Sequence, residues 1–390
     1  MSVPDGFLFS GVHSGVKKSG KNDLGLAYSS FPASVAGVFT ENKLPAAPVV
    51  DARRKLEEKD KFRGLVANSG VANAATGPEG TKRNHRMVEE AAGYLSVAPE
   101  EIIPASTGLI GKQLPVEEIT TSLPEAVDSL DESLNQFSKS ILTTDTKIKT
   151  ASVQLQPIDA TMVGVAKGSG MINPRMATML SFVFVDYPVN PGWWQDTLAG
   201  ACESSFNRIT VDGDMSTNDT VLAFAADMPN KETATGSDEA SDLLAEALQE
   251  VCSQLAGDIV RDGEGSTCVF EVRVRGAASK QDAENVAAEV AGSSLVRTAF
   301  YGRDPNWGRI YSSVGAAGPV VDPGELKIAL NNTTVYDGEP LDPPDDLAEE
   351  MKNTDEHVVE IDLQAGKERA RKTACDLSEK YVKINSAYQP

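Results

Sequence analysis

The chain has 390 residues, enough for two or three domains, and its composition (41% hydrophobic, 24% charged) is that of an ordinary globular protein. Its 36 basic and 57 acidic residues give a formal net charge of −21. That balance disfavours nucleic acid and anionic membranes as partners, and any anionic substrate needs a local site.

In chain order, the opening "MSVPDGFLFSGVHSGVKK" puts its lysines after a weak apolar patch, the reverse of a secretory signal, so a cytoplasmic protein is expected. The β-branched runs "ASVAGVFT" (33–40) and "RGLVANSG" (63–70) predict strands, and "SLPEAVDSLDESLNQFSKSI" (122–141) predicts a helix. "DATMVGVAKG" (159–168) is another strand. Next comes the apolar run Met179–Val185, broken only by Ser181 and far short of the roughly 18 residues that a membrane helix needs. The polar stretch 230–242 reads as an exposed loop. Leu243, Leu244, Ala247, Leu248, Val251 and Leu255 then recur at helical spacing within 238–260. The turn "RVRGAAS" (273–279) is the expected domain boundary, followed by a helix over 279–296 and an acidic, proline-rich loop over 337–357. Strands and helices mix without regular βαβ alternation, which predicts an α+β fold of packed layers.

Few common catalytic templates survive. Cys202, Cys252, Cys268 and Cys375 show no CxxC spacing and read as buried thiols, so no zinc site or disulfide framework is indicated. Three histidines exist, His13, His85 and His357, each isolated and read as surface or structural. GxSxG, HExxH and GxxxxGK[ST] are absent. "DGDMSTNDT" (212–220) fails as a calcium loop because Thr217 and Ala223 stand where glycine and an acid are required, and no metal is expected. Asp145, Asp212, Asp214 and Asn218 read as turn formers, and Glu264 of "DGEGST" lies in a turn.

A nucleophilic enzyme without a histidine base can use a threonine whose own α-amine accepts the proton, provided that the threonine begins a chain. A free α-amine titrates near 7.7–8, close to where a general base works best at neutral pH. In "KGSGMINPRMATML" (167–180), Thr178 fits if the Ala177–Thr178 bond is broken: glycines upstream permit unusual backbone angles, and Pro174 restricts the loop. On the residues alone a threonine at an ordinary strand end is much the commoner reading.

Nine blocks decide more. "VFTENKLPAAPV", "VANSGVANAATG", "ASTGLIGKQLP", "ILTTDTKIK", "KGSGMINPRMATML", "FNRITVDGDMSTNDT", "IVRDGEGST", "TAFYGRDPNWGRI" and "CDLSEKYVKINSAY" follow one another over essentially the whole chain. In content and order they resemble the glutamate N-acetyltransferase (ornithine acetyltransferase) family of arginine biosynthesis. The resemblance implies a layered α/β sandwich with a smaller C-terminal α/β domain, here divided as 1–275 and 276–390, the latter contributing to the substrate site. It implies self-cleavage between Ala177 and Thr178 into an α chain (1–177) and a β chain, assembled as α2β2. Thr178 is then the nucleophile, and Thr107 and Gly108 of the "STG" block form the oxyanion hole. Thr144, Lys167, Thr178, Glu264 and Asn385 contact the substrate.

The implied reaction moves an acetyl group from N2-acetyl-L-ornithine to L-glutamate through acetyl-Thr178. No cofactor is implied, and acetyl-CoA stays open as a co-substrate because members with and without that activity share these blocks. One departure stands out: the family commonly ends in a hydroxyl residue, whereas this sequence ends "INSAYQP", with Pro390 last. Two rival readings remain, an amidase or aminopeptidase of the same fold with water as acceptor, and a non-catalytic amino-acid-binding protein.

Overall fold

The computed structural model describes residues 2–173, 179–342 and 346–386. In chain order the strands of the described residues are β1 (Phe7–Val12), β2 (Leu24–Phe39), β3 (Lys61–Val71), β4 (Ile102–Leu109), β5 (Lys149–Leu155), β6 (Ala160–Lys167) and β7 (Leu180–Val185). They continue with β8 (Ile209–Thr210), β9 (Thr220–Ala226), β10 (Val269–Ala277), β11 (Lys327–Leu330), β12 (Thr333–Asp337), β13 (Glu356–Asp362) and β14 (Glu368–Cys375). The chain forms two compact units, one of residues up to Asn207 with Asp214–Ile259, the other of Arg208–Gly213 with the chain from Val260.

The first unit holds an eight-stranded sheet in the order β4-β3-β2-β9-β7-β6-β5, with β1 pairing β2. β7 and β9 run parallel at its centre, and every residue of both is buried. This two-sided burial is what the nearly continuous apolar run predicts. On one face the rings of Phe7, Phe9, Phe137, Phe182, Phe184 and Phe224 pack together, with Phe184 centred 4.9 Å from Phe9 and 5.3 Å from Phe224. The helix Glu239–Arg261 covers the same strands from elsewhere: a Cβ on Gly164 of β6 would stand 2.5 Å from Val251 and 2.8 Å from Leu255. Leu244, Leu248, Val251 and Leu255 are fully buried along one stripe of that helix, as their spacing predicts. A second apolar layer joins Leu24, Leu26 and Val66 to helices Gly77–Leu95 and Val116–Asp128.

In the second unit the sheet order is β12-β11-β13-β10-β14-β8. Phe270, Val272 and Val274 of β10 alternate inward, and the ring of Phe270 stacks on that of Phe300 at 4.1 Å. Helices Lys280–Gly292, Ser294–Tyr301 and Trp307–Ala316 contribute to this core. The outward residues of β10 carry charge pairs, Arg273 with Glu271 and Arg275 with Asp362. Both units are therefore sheet-and-helix layers, the α+β arrangement expected.

Several boundaries differ from expectation. The division falls at Ile259/Val260 rather than at 275/276, because residues 269–277 form β10, a strand with neighbours on both sides, and Gly276 (φ +69°) turns the chain at that strand's end. The helix expected over 122–141 is two, Val116–Asp128 and Leu134–Ser140: Asp131 leaves to exchange backbone hydrogen bonds with Phe9, and Ser133 caps the new start. The helix over 279–296 likewise restarts at Ser293, whose hydroxyl accepts from Val296 N–H. The acidic stretch 337–357 contains the helix Leu347–Lys352, which buries Leu347 and Met351. The loop expected over 230–242 gives way to helix at Glu239.

Candidate functional site

Parallel strands β3 and β4 meet at their C-terminal ends, with Ser69 opposite Thr107 and Gly70 opposite Gly108. Gly108 has φ +133°, and a Cβ there would strike the carbonyl carbon of Gly70, so only glycine fits this approach. Asn218, fully inside, clamps the pair by donating to Ala72 O (2.6 Å) and Ser106 O (2.8 Å). Ser106 donates to Asn68 Oδ1, and Asn68 donates on to Val71 O. Thr107 and Gly108 therefore stand on a braced strand end.

Lys167, the last residue of β6, reaches this end. Its side chain is buried, and Nζ donates to Thr107 Oγ1 at 3.1 Å. A hydroxyl that accepts from an ammonium keeps its own proton for another acceptor, and the accepted bond polarises that donor. Next to Lys167, Gly168 N–H donates to Asp145 Oδ1 at 2.6 Å, and Thr144 Oγ1 lies 2.7 Å from Ser169 Oγ. The turn reading of Asp145 thus understates it. Its fully buried carboxyl also pairs with Lys149 Nζ (2.7 Å) and accepts from Thr143 N–H. Burial pushes this carboxyl up, but the Lys167 and Lys149 ammoniums and the Gly168 N–H outweigh it and hold the group at about 2.

Lys17 adds a further cation. Burial lowers its ammonium to about 8, against the pull of Asp23 and with the help of Lys167. Its Nζ donates to Leu142 O, two residues before Thr144.

Glu264 and Asn385, both in the second unit, meet each other: Asn385 Nδ2 donates to Glu264 Oε2 at 2.7 Å. Gly265 (φ +76°) lets this loop lie against the start of the last helix, Glu379–Ser386, and Ser378 Oγ donates to Gly265 O. The structure thus brings Thr107, Gly108, Thr144 and Lys167 together, and brings Glu264 to Asn385. Ala177 and Thr178, the expected cleavage site and nucleophile, lie outside the described residues, as does Pro390.

The histidines have other partners. His13 pairs with Asp23 at 3.1 Å, His85 stands 3.8 Å from Asp51, and His357 packs on Phe300, where burial lowers its imidazole to about 4. All four cysteines are buried and unpaired thiols, as expected, and burial raises Cys252 to about 12. Among the described residues no group of three or more His, Cys, Asp or Glu could hold a metal, and no helix is long and apolar enough to cross a membrane.

A hydroxyl beside a peptide N–H, backed by a buried cation, is the donor set that acyl transfer uses on a developing oxyanion, here carried on an α+β fold. The chain belongs to the ArgJ family, whose profile matches residues 8–390. It is 40% identical to the arginine biosynthesis bifunctional protein ArgJ of Thermotoga neapolitana, covering 100% of both chains. It is 42% identical to the protein of the same description from Streptococcus mutans, over 100% of this chain and 98% of that one. Among solved structures, the arginine biosynthesis bifunctional protein argJ from Bacillus halodurans is 38% identical, with TM-score 0.49 over 52% of this chain and 96% of that one.

Proposed function

We propose that the protein is a glutamate N-acetyltransferase of arginine biosynthesis, active after self-cleavage between Ala177 and Thr178. Thr178 Oγ attacks the acetyl carbonyl of N2-acetyl-L-ornithine while its own α-amine takes the hydroxyl proton. The amide C–N bond breaks, the proton leaves with ornithine, and acetyl-Thr178 remains. The amine of L-glutamate then attacks the ester, yielding N-acetylglutamate and the regenerated hydroxyl. The observation that carries the reading is the Lys167–Thr107 hydrogen bond beside the forced glycine at 108. It supports a charged-assisted hydroxyl donor and a backbone N–H for the oxyanion of both half-reactions, each such donor being worth on the order of 10²–10³ in rate.

Thr144 and Lys167 serve the substrate near that end, and Glu264 with Asn385 its amino-acid head, where a carboxylate suits an ammonium. Two α and two β chains assemble, in the cytoplasm. Acetyl-CoA is a second candidate donor and is tested in parallel.

The test is acetyl exchange by the purified protein, with acetylornithine plus labelled glutamate in one arm and acetyl-CoA plus glutamate in the other. Labelled N-acetylglutamate, with parallel initial-rate lines when acetylornithine is varied at several glutamate levels, is expected in the first arm. Free acetate released at a rate that glutamate does not change would instead mark an amidase. An uncut chain that binds these amino acids without turnover would mark a binding protein.

A further inference from the structure

We infer that Asp219, in the residue before β9, is a positioning residue that holds Thr178 in place through the neighbouring peptide unit. The inference rests on the reading of Thr178 as nucleophile. Asp219 Oδ1 accepts from Met179 N–H at 2.9 Å, and Met179 follows Thr178 in the chain. That N–H belongs to the planar peptide unit that joins residues 178 and 179.

The arrangement departs from ordinary strand pairing at that point. Thr220 N–H still donates to Met179 O (3.1 Å), continuing the parallel ladder of β7 and β9. One step back, the Asn218 carbonyl accepts from the Thr220 hydroxyl, and a side-chain carboxyl takes the Met179 N–H. Asp219 is 1% exposed, and its Oδ2 has no hydrogen-bond partner among the described residues. The nearby Thr40 hydroxyl gives its proton to Ser216 O, while Thr40 N–H donates to the Asp219 main-chain carbonyl.

A buried acid is costly to retain for packing alone. Burial drives its carboxyl well above the usual range, against the pull of the Met179 N–H, the Lys167 ammonium and Thr40. Lys167 therefore faces two buried carboxyls that burial and charge shift in opposite directions, Asp145 downward and Asp219 upward.

The experiment compares Asp219→Ala and Asp219→Asn with the wild type, in the full-length chain. Conversion to two fragments is followed by mass, and acetylornithine–glutamate exchange is measured on the cut protein. Alanine removes the acceptor, and a misplacement of this kind costs on the order of 10²-fold. Cleavage and kcat should fall by that order while KM for acetylornithine stays within about twofold. Asparagine keeps an acceptor oxygen on a side chain of the same shape and should run at least about tenfold faster than alanine in both steps. Should the alanine variant cut and turn over at wild-type rates, or should asparagine be as slow as alanine, the inference is overturned. The reading it rests on fails separately: a wild type that cuts without transferring acetyl removes the transferase assignment but leaves Asp219 tested by cleavage. A wild type that never cuts removes both.

Discussion

Replacing Asp145 by asparagine keeps the shape of the side chain and deletes its charge. Asp145 and Lys149 are an ion pair at 2.7 Å whose side chains are 0% and 1% exposed, and Lys167 adds its field at the same carboxylate. Asparagine leaves the Lys149 ammonium buried without its counter-ion, a change that costs about 3–5 kcal/mol. For a unit of this size each kcal/mol lowers Tm by roughly 2–4 °C, so a drop of roughly 6–20 °C is expected. Thermal unfolding of D145N, K149M and the double variant separates pair from packing. In the double variant neither charge remains, so part of the loss should return, with a coupling of at least about 1 kcal/mol. Exchange activity of D145N should fall as well, since Gly168, next to Lys167, is held by the same carboxylate. A D145N protein within about 1 kcal/mol of the wild type, or a double variant no more stable than D145N, refutes the argument that this pair organises the Lys167 end.

The same carboxyl sets an acid limit. Its folded value of about 2 lies below the ordinary 3.8, so its contribution, on the order of 2 kcal/mol, is complete above about 4 and is lost as pH falls from there to 2. Acid unfolding of D145N should accordingly be flatter than wild type across that window. Thr178→Ala should stay one chain of 390 residues and Thr178→Ser should still be cut, whereas the wild type should give fragments of 177 and 213 residues, roughly 19 and 23 kDa by proportion on a denaturing gel. Asn385→Ala, which strips Glu264 of a 2.7 Å donor, should raise KM for acetylornithine well beyond what deletion of Pro390 does, because a single neutral hydrogen bond contributes only about 0.5–1.5 kcal/mol. Steady-state kinetics in which the deletion is the more damaging change would assign the substrate contact to the chain end instead.

Sequence alone exposed the parts that depend on local periodicity. The central strand after residue 179 and the helix with Leu244, Leu248 and Leu255 in one stripe follow from spacing. Helix breaks were harder to see, because Ser133 and Ser293 act as caps only once the chain leaves the helix beside them. Thr107, Gly108 and Lys167 were legible through motif order. Asp145, Asn218 and Asp219 were not, since an acidic or amide residue in a polar stretch signals a turn until its distant partners are known. Asn218 meets Ala72 across 146 residues and Asp219 meets Met179 across 40, separations that no local pattern encodes.

The strand order of the first sheet bears on how such a protein must be made. Residues 1–177 supply β1 to β6, and the residues after them supply β7 and β9, which lie side by side between β2 and β6. A cut at Ala177–Thr178 would leave two polypeptides interleaved like the fingers of clasped hands, held by the β2–β9 and β6–β7 ladders. Neither piece could complete the sheet alone. Assembly would have to precede the cut, and once both pieces were unfolded their reunion would become a second-order encounter instead of an intramolecular search. The peptide bond would then be a scaffold for a single use, and the refolding yield of the nicked form should depend on concentration where that of an uncut Thr178→Ala chain does not.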